Sequence, residues 1–500
     1  MSEQTDKVNQ LLTEKGVLPV DSKKVAPKKK ATPSKKAPPK NENESGRPDL
    51  DPSKKVQEEG IYWLNGSGSF FVRRDTDGRI RFLELGSAEM RRKLKVKGFR
   101  TKPDLEAGER CSEVDRILDV ATEERAVDFA TNIAGMSAGV YDLQGGRVLI
   151  RESPRLIEPE PGPPEPGKFK TIHELIYGLL GREGAQYFIA WLSVAFVALR
   201  NGQRRQGQCL IIVGPPGCGK SRLQHQIITP ILGGRNADPK SFFFGRTDFN
   251  AELIGAEHLL IEEVPSSNRH EDRQYFGERM KEVVANDTTR LHKKNRDALT
   301  VSPFWRLSIT LNDNPEKLRC LPPMVKDFAE KIIMIEAKSC PEFWQKFASE
   351  EDPRLAFRTA ITSELPAFVN FLSSVEIPEN LKHQRYGIRS YVPDELAETL
   401  FESEPEHHLL LLIEKALWKD NDETTFREPW IGDAEELKQL LTAESSPVRA
   451  SATRLLSAYP TACGQYLARL NERFPGRIRP KRSNRKRNWI ITPPEESTEI

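Results

Sequence analysis

The sequence predicts a multi-domain α/β protein organised around a parallel sheet. Three observations carry this. The chain has 500 residues, which suits about three domains rather than one core. Short apolar runs, CLIIV, HLLIEEV, RLSITLN and KIIMIEA, alternate with helix-like segments. That is the pattern of parallel strands joined by crossover helices. Between the first run and the helix-like SRLQHQIITPILG lies Gly214-Pro215-Pro216-Gly217-Cys218-Gly219-Lys220-Ser221. Strand, glycine-rich loop, then helix is the context in which such a loop holds phosphates.

From the start of the chain, residues 1–58 are low in complexity. KKVAPKKKATPSKKAPPK alternates lysine with proline and alanine. So little apolar surface cannot offset the entropy of ordering, and the segment reads as a disordered tail. A nucleic-acid tether and a solubilising tail are both open readings of it. The start, MSEQTDKVNQ, has no apolar signal-peptide core.

Residues 59–168 read as a β-rich domain. IYWLNGSGSFFVRRDTDGRIRFLEL alternates in polarity and carries a hairpin turn at Asp77-Gly78. Asp75 and Asp77 have the spacing of paired metal-binding acids, but the arginines before them and the turn favour a plain hairpin. A proline-rich linker closes the domain near Glu158–Gly167.

Residues 169–345 hold the alternating strands, opened by two helical patterns. The second contains AQYFIAWLSVAFVAL, Ala185–Leu199. It is about five residues short of a bilayer span, so a buried helix is expected and no membrane partner. The six cysteines form no C-x-x-C pair, which argues against a zinc site or a disulfide framework. A reduced, cytoplasmic location is expected. Residues 346–427 read as a helical region, 428–492 as a last folded unit and 493–500 as a tail.

The chemistry starts at the loop. Its glycines let successive N–H groups face phosphates, Lys220 can reach the β- and γ-phosphates, and Ser221 can ligate Mg²⁺. Cys218 sits at a variable loop position and is given no chemical role. Hydrolysis also needs acids at the end of a neighbouring strand. HLLIEEV supplies Glu262 and Glu263. The first can hold the Mg²⁺ shell, and the second can orient or deprotonate water. RLSITLND ends its strand at Asn312, an amide placed to sense a γ-phosphate.

This ordered set resembles the superfamily 3 helicases within the AAA+ ATPases, in particular the helicase module of phage and mobile-element primase-helicases. The resemblance rests on GPPGCGKS, GRTDFNAELIGAEHLLIEEV and RLSITLND, and spans residues 169–345. It implies a P-loop AAA+ three-layer domain with a helical lid region, using ATP and Mg²⁺. It further implies a homo-oligomeric ring, usually a hexamer, moving on single-stranded DNA. His292, Lys293 and Lys294 occupy the position of the family's DNA loop in the channel. The family supplies an arginine finger to the neighbouring subunit. Lys331, just before the last strand, the earlier Arg319 and a finger elsewhere in the chain are the alternatives, and lysine lacks the planar fork of arginine.

Beyond residue 428, AEELKQLL, ASATRLLS and ACGQYLARLNERF have helical spacing, and RIRPKR and RNWIIT read as paired strands. This resembles the winged-helix DNA-binding domains at the C-termini of phage-type replicative helicases. Its basic residues include Arg469, Arg473, Arg479, Arg482, Arg485 and Arg487, which suit phosphate oxygens. The expected function is ATP-driven unwinding of forked or origin DNA in replication of a phage, plasmid or mobile element, in a bacterial host cytoplasm. A separate primase or polymerase would be a partner. An origin-binding initiator or loader, and the helicase part of a primase-helicase, are the alternatives.

Overall fold

Order begins earlier than the lysine-rich composition implies. Helix α1 spans Pro52–Glu59, and Val56 on its inner face is fully buried. Residues 52–58, expected to belong to the tail, are helical because about two amphipathic turns find a surface to pack on; the rest of the expected tail, residues 1–50, lies outside the described residues. The computed structural model describes residues 51–494 except 77, 107, 265–269, 292–298, 319, 323–325, 403, 419–427, 459 and 482–486. It also omits the side chains of residues 270, 271, 274, 315, 326 and 327. The chain divides into compact units of residues 1–51 and 52–500, and every described helix and strand lies in the second.

Strands β1 (Ile61–Leu64), β2 (Ser69–Thr76) and β3 (Arg79–Gly86) form an antiparallel meander. Helices α2 (Ser87–Val96) and α3 (Glu113–Glu124) follow. β4 (Ala126–Val127) closes a sheet of order β3-β2-β1-β4. The pair Thr76↔Arg79 closes the β2–β3 turn. Asp77 lies outside the described residues, and Asp75 is held by Arg73 at 3.0 Å, so the hairpin reading needs no metal. β5 (Phe129–Thr131), β6 (Gly139–Leu143) and β7 (Gly146–Ile150) make a second sheet of order β5-β7-β6. Leu64, Phe71, Phe82, Val127 and Leu149 share one core between the two sheets.

Helix α4 covers Lys170–Arg200 and breaks at Gly181, where φ is +66°. Glycine is the residue that adopts that conformation at little cost, which separates the two helical patterns seen in the sequence. Next come β8 (Cys209–Gly214), helix α5 (residues 220–231), β9 (Asn236–Ala237) and β10 (His258–Glu262). Helix α6 (His270–Ala285), the short strands β11 (Thr289–Leu291) and β12 (Leu299–Val301), then β13 (Arg306–Asn312) and β14 (Ile332–Glu336) complete the region. The sheet order is β14-β8-β13-β10-β9, and every pair is parallel. Strand side chains alternate between faces. Leu210 and Ile212 enter one core, while Ile211 and Val213 enter another. Both faces are therefore covered, as a parallel sheet requires.

Residues 346–427 do not form one separate region. Helix α7 (Pro353–Ser374) joins the first core through Phe357, Ile361 and Phe368. After the small β15 (Lys382–His383) and β16 (Gly387–Ile388) pair, α8 (Asp394–Glu402) joins the second core through Leu396 and Leu400. Helix α9 (Pro405–Leu417) belongs to the C-terminal unit through Leu409 and Ile413.

That unit continues with β17 (Trp430–Asp433), α10 (Ala434–Thr442), α11 (Arg449–Leu456), α12 (Ala462–Arg473), β18 (Ile478–Lys481) and β19 (Asn488–Ile491). The sheet is antiparallel, in order β17-β19-β18. Asp433 caps α10 by accepting from the N–H groups of Glu435 and Glu436. Trp489 is 2 % exposed in the core of the unit. Trp489→Ala is expected to destabilise this unit by about 3–5 kcal/mol, since it removes a large buried ring and leaves a cavity. Chemical denaturation followed by far-ultraviolet circular dichroism checks this.

Among the described residues no helix is long and apolar enough to cross a membrane, and no group of three or more His, Cys, Asp or Glu is arranged to hold a metal ion.

Candidate functional site

Register brings the expected residues together. Asn312 lies beside Gly214 in the β13–β8 pair, and Glu262 beside Thr310 in the β10–β13 pair. The glycine-rich loop, the asparagine and the acids thus leave the carboxyl edges of three adjacent parallel strands. In open α/β sheets that edge is where ligands bind.

The loop turns from β8 into α5. Gly214 runs so close to the chain after β14 that an added Cβ would lie 2.2 Å from the Ala337 carbonyl oxygen. Gly219 has φ +121°, and a Cβ there would lie 2.7 Å from the Trp344 ring. Trp344 Nε1 donates to the Cys218 carbonyl at 3.2 Å, and the Arg222 guanidinium lies 4.8 Å from the centre of the Trp344 ring. A tryptophan and an arginine thus buttress the loop, and neither was evident from the sequence. Cys218 is buried. Pro216, Gly217 and Ser221 are exposed, and Pro215 is half-buried.

Lys220 is buried, and its Nζ donates to the Gly214 and Pro215 carbonyls, each at 2.7 Å. It also lies 3.4 Å from Asn312 Oδ1. The loop cation and the strand-end amide therefore already meet. These neutral acceptors leave the lysine charge without a carboxylate among its hydrogen-bond partners. A phosphate oxygen suits such a cation better than a peptide carbonyl does.

Glu262 closes β10 and takes a 2.9 Å contact from His225 Nε2 on α5. Glu263 follows it, exposed, with φ +57°, and is the only non-glycine residue with positive φ among the described residues. A left-handed conformation costs an ordinary side chain about 1–2 kcal/mol. Strain of this kind concentrates at functional positions.

Beneath the crevice runs a buried polar chain. Gln224 Nε2 donates to Ser308 Oγ at 2.8 Å, Ser308 Oγ meets His258 Nε2 at 2.7 Å, and His258 Nδ1 meets Thr229 Oγ1 at 2.7 Å. It joins α5 to β13 and β10. Gln224 begins a five-residue π turn, Gln224–Ile228, a distortion often found near functional sites. Complete burial lowers the His258 pKa to about 3 from the usual 6.5, so the ring is neutral at physiological pH. The unfolded chain then binds this proton first. The group leaves stability unaffected above about pH 6.5 and removes up to ~1.4 kcal/mol per pH unit as the pH falls from there toward 3. His258→Gln is expected to shrink the loss of thermal stability between pH 7 and pH 5, read by differential scanning calorimetry.

Several expected site residues lie elsewhere. Lys331 precedes β14 and accepts the Cys209 N–H through its carbonyl, which puts it at the amino edge of the sheet, opposite the loop. Its side chain is 7 % exposed and paired with Glu330 at 3.0 Å. A buried group at that edge cannot act as a finger on a neighbouring subunit, and this corrects the expectation. Arg319, His292, Lys293, Lys294, Arg482 and Arg485 lie outside the described residues.

In the C-terminal unit Arg469 is half-buried and pairs with the buried Glu406 at 3.4 Å. The guanidinium of Arg473 stacks 4.0 Å from the Phe401 ring centre. Helix α12 buries Cys463, Tyr466, Leu467 and Leu470. Arg469 thus holds α12 to α9 rather than facing a groove, contrary to expectation. Arg479 is exposed on β18, and Arg487 lies 4.7 Å from the centre of the Trp489 ring.

Residues 212–321, which include the whole loop, both acids and Asn312, match a family of unknown function, DUF5906. No curated protein sequence matches the chain. The fold is similar to that of the NrS-1 C-terminal region (305–718). One apo structure is 12% identical with a TM-score of 0.53, covering 89% of this chain and 98% of that one. An A-form apo structure of the same region gives 0.52 at 12% identity, covering 88% and 98%. The JCV helicase structure gives 0.27 at 12% identity, covering 50% and 63%, and nothing rests on it. At such identities the likeness concerns the fold. The chain is a mixed α/β protein with a parallel sheet, and its fold is similar to that of the NrS-1 C-terminal region.

Proposed function

We propose that the chain is an ATP-dependent DNA helicase of the superfamily 3 type, with a P-loop AAA+ core and a C-terminal winged helix. One observation supports this above the others: Lys220, Asn312 and the Glu262–Glu263 pair share one strand-end crevice. In this reading the loop N–H groups and Lys220 bind the phosphates of ATP. Lys220 exchanges the Gly214 and Pro215 carbonyls for phosphate oxygens. Glu263, with its backbone twisted outward, accepts the proton of the attacking water. Asn312 orients Lys220 and the γ-phosphate. Ser221 and Glu262 would hold Mg²⁺, which supplies neutralising charge on the transferred group; Glu262 gives up His225 to do so.

DNA is proposed as the object of the motor because His292, Lys293 and Lys294 lie in the sequence between β11 and β12, and Arg479 and Lys481 are exposed on β18. A homo-oligomeric ring, probed by light scattering with ATP, completes the reading. Phosphate release by the full chain is expected to require Mg²⁺ and to rise at least about fivefold with oligo(dT). Release that ignores DNA, together with tight binding to one duplex sequence, would favour the initiator reading instead.

A further inference from the structure

Strands β11 and β12 pair over only three residues, Thr289↔Val301 to Leu291↔Leu299. A two-stranded hairpin of that length does not hold itself, so its position is set by what grips its base. Two sets of contacts do so. The first is apolar. Leu291, Leu299 and Val301 are buried in one cluster with Phe129, Val148 and Ile150 of the β5-β7-β6 sheet, with Ile133 just after β5, and with Ile254.

The second is polar and comes from the segment that leads into β8 and from Arg385, between β15 and β16. Arg204 Nη2 donates to the Asn286 carbonyl at 2.8 Å, and its Nε to the Pro303 carbonyl at 3.3 Å. One guanidinium thus bridges the chain just before β11 and just after β12. Gln206 Nε2 donates to the Ala285 carbonyl at 2.6 Å and to Asp287 Oδ1 at 2.7 Å. Arg385 Nη2 donates to the same Ala285 carbonyl at 2.7 Å.

The chain just after β5 and just after β7 also grips the base of the acid strand. The Gly135 N–H donates to Glu257 Oε1 at 2.8 Å, beside the ion pair of Glu257 with Arg235. Arg235 Nη1 in turn donates to the Glu152 carbonyl at 2.8 Å. Glu257 is fully buried and immediately precedes β10. The neighbouring Phe304 N–H donates to the Ala134 carbonyl at 2.9 Å.

We infer that residues 129–152 form the seat of the β11–β12 hairpin, and that Arg204 is a positioning residue whose guanidinium staples the two ends of that hairpin. Hairpin and acid strand are fastened to one body, so a load on the hairpin reaches Glu262 and Glu263 through Glu257. This deepens the helicase reading and rests on it for what loads the hairpin. The planar fork matters, because an ammonium is a point charge and does not reproduce two donors at fixed angles.

The test uses the full chain, wild type, Arg204→Ala and Arg204→Lys, with two readouts. Amide hydrogen exchange over residues 286–291 and 299–304 is expected to accelerate about tenfold in Arg204→Ala, the loss of one to two hydrogen bonds. Phosphate release without DNA is expected to stay within about twofold of wild type. Its stimulation by oligo(dT) is expected to fall at least about fivefold, with Arg204→Lys between. Unchanged exchange would overturn the staple. Faster exchange with full stimulation would overturn the coupling. A wild type that oligo(dT) does not stimulate would remove the DNA reading and the coupling with it, while the exchange result would still judge the staple.

Discussion

Replacing Lys220 by alanine is expected to lower ATP hydrolysis by at least about a hundredfold, the scale of losing one preorganised charge on the transferred group. Nucleotide affinity should fall with it, because the lysine is proposed to bind phosphate in ground and transition states alike. The structure adds a second consequence. Lys220 now satisfies the Gly214 and Pro215 carbonyls. Its removal leaves partly buried acceptors unpaired, at a cost of about 1–3 kcal/mol. Lys220→Ala is thus expected to lose both thermal stability and its shift with ATP. Isothermal titration with ATP and a thermal scan read the two effects separately. Wild-type hydrolysis in Lys220→Ala would contradict the assignment.

Glu263→Gln is expected to behave differently. The amide keeps the size of the side chain and the backbone twist but accepts no proton. Hydrolysis should fall by about 10²–10⁴ in kcat with KM nearly unchanged, the pattern of a group that acts only in the transition state. The positive φ of Glu263 allows a sharper check. Glu263→Gly relieves the strained conformation, so it is expected to raise stability by about 1 kcal/mol while abolishing hydrolysis. A destabilised Glu263→Gly would contradict the strain at this residue, and an active Glu263→Gln would contradict its role as base.

The site was legible where chemistry follows local spacing. A loop between strand and helix, an acid pair after four apolar residues and an amide at a strand end each occupy one short stretch of sequence. Strand order, which makes these three neighbours, arises from pairing across almost a hundred residues, and no local pattern encodes it. For the same reason the supports were hidden. Trp344 reaches the loop from beyond β14, and Gln224, Ser308 and His258 meet only once α5, β13 and β10 have packed. Lys331 is a different kind of miss. A residue that precedes a parallel strand lies at the amino edge, so strand direction alone would have removed it from the site. Arg469 was misread because charge in a basic segment says nothing about partners; Glu406 lies on a helix expected to belong to another region. Residues 346–427 looked uniform because helical periodicity does not say which core a helix joins.

The central claim is that the strand-end crevice drives strand separation. A fluorescently labelled forked duplex, incubated with the full chain, Mg²⁺ and either ATP or a non-hydrolysable analogue, tests it most directly. Displacement of one strand with ATP and none with the analogue, abolished in Glu263→Gln, is the predicted result. A duplex that stays intact with ATP while the wild type hydrolyses it would contradict that claim.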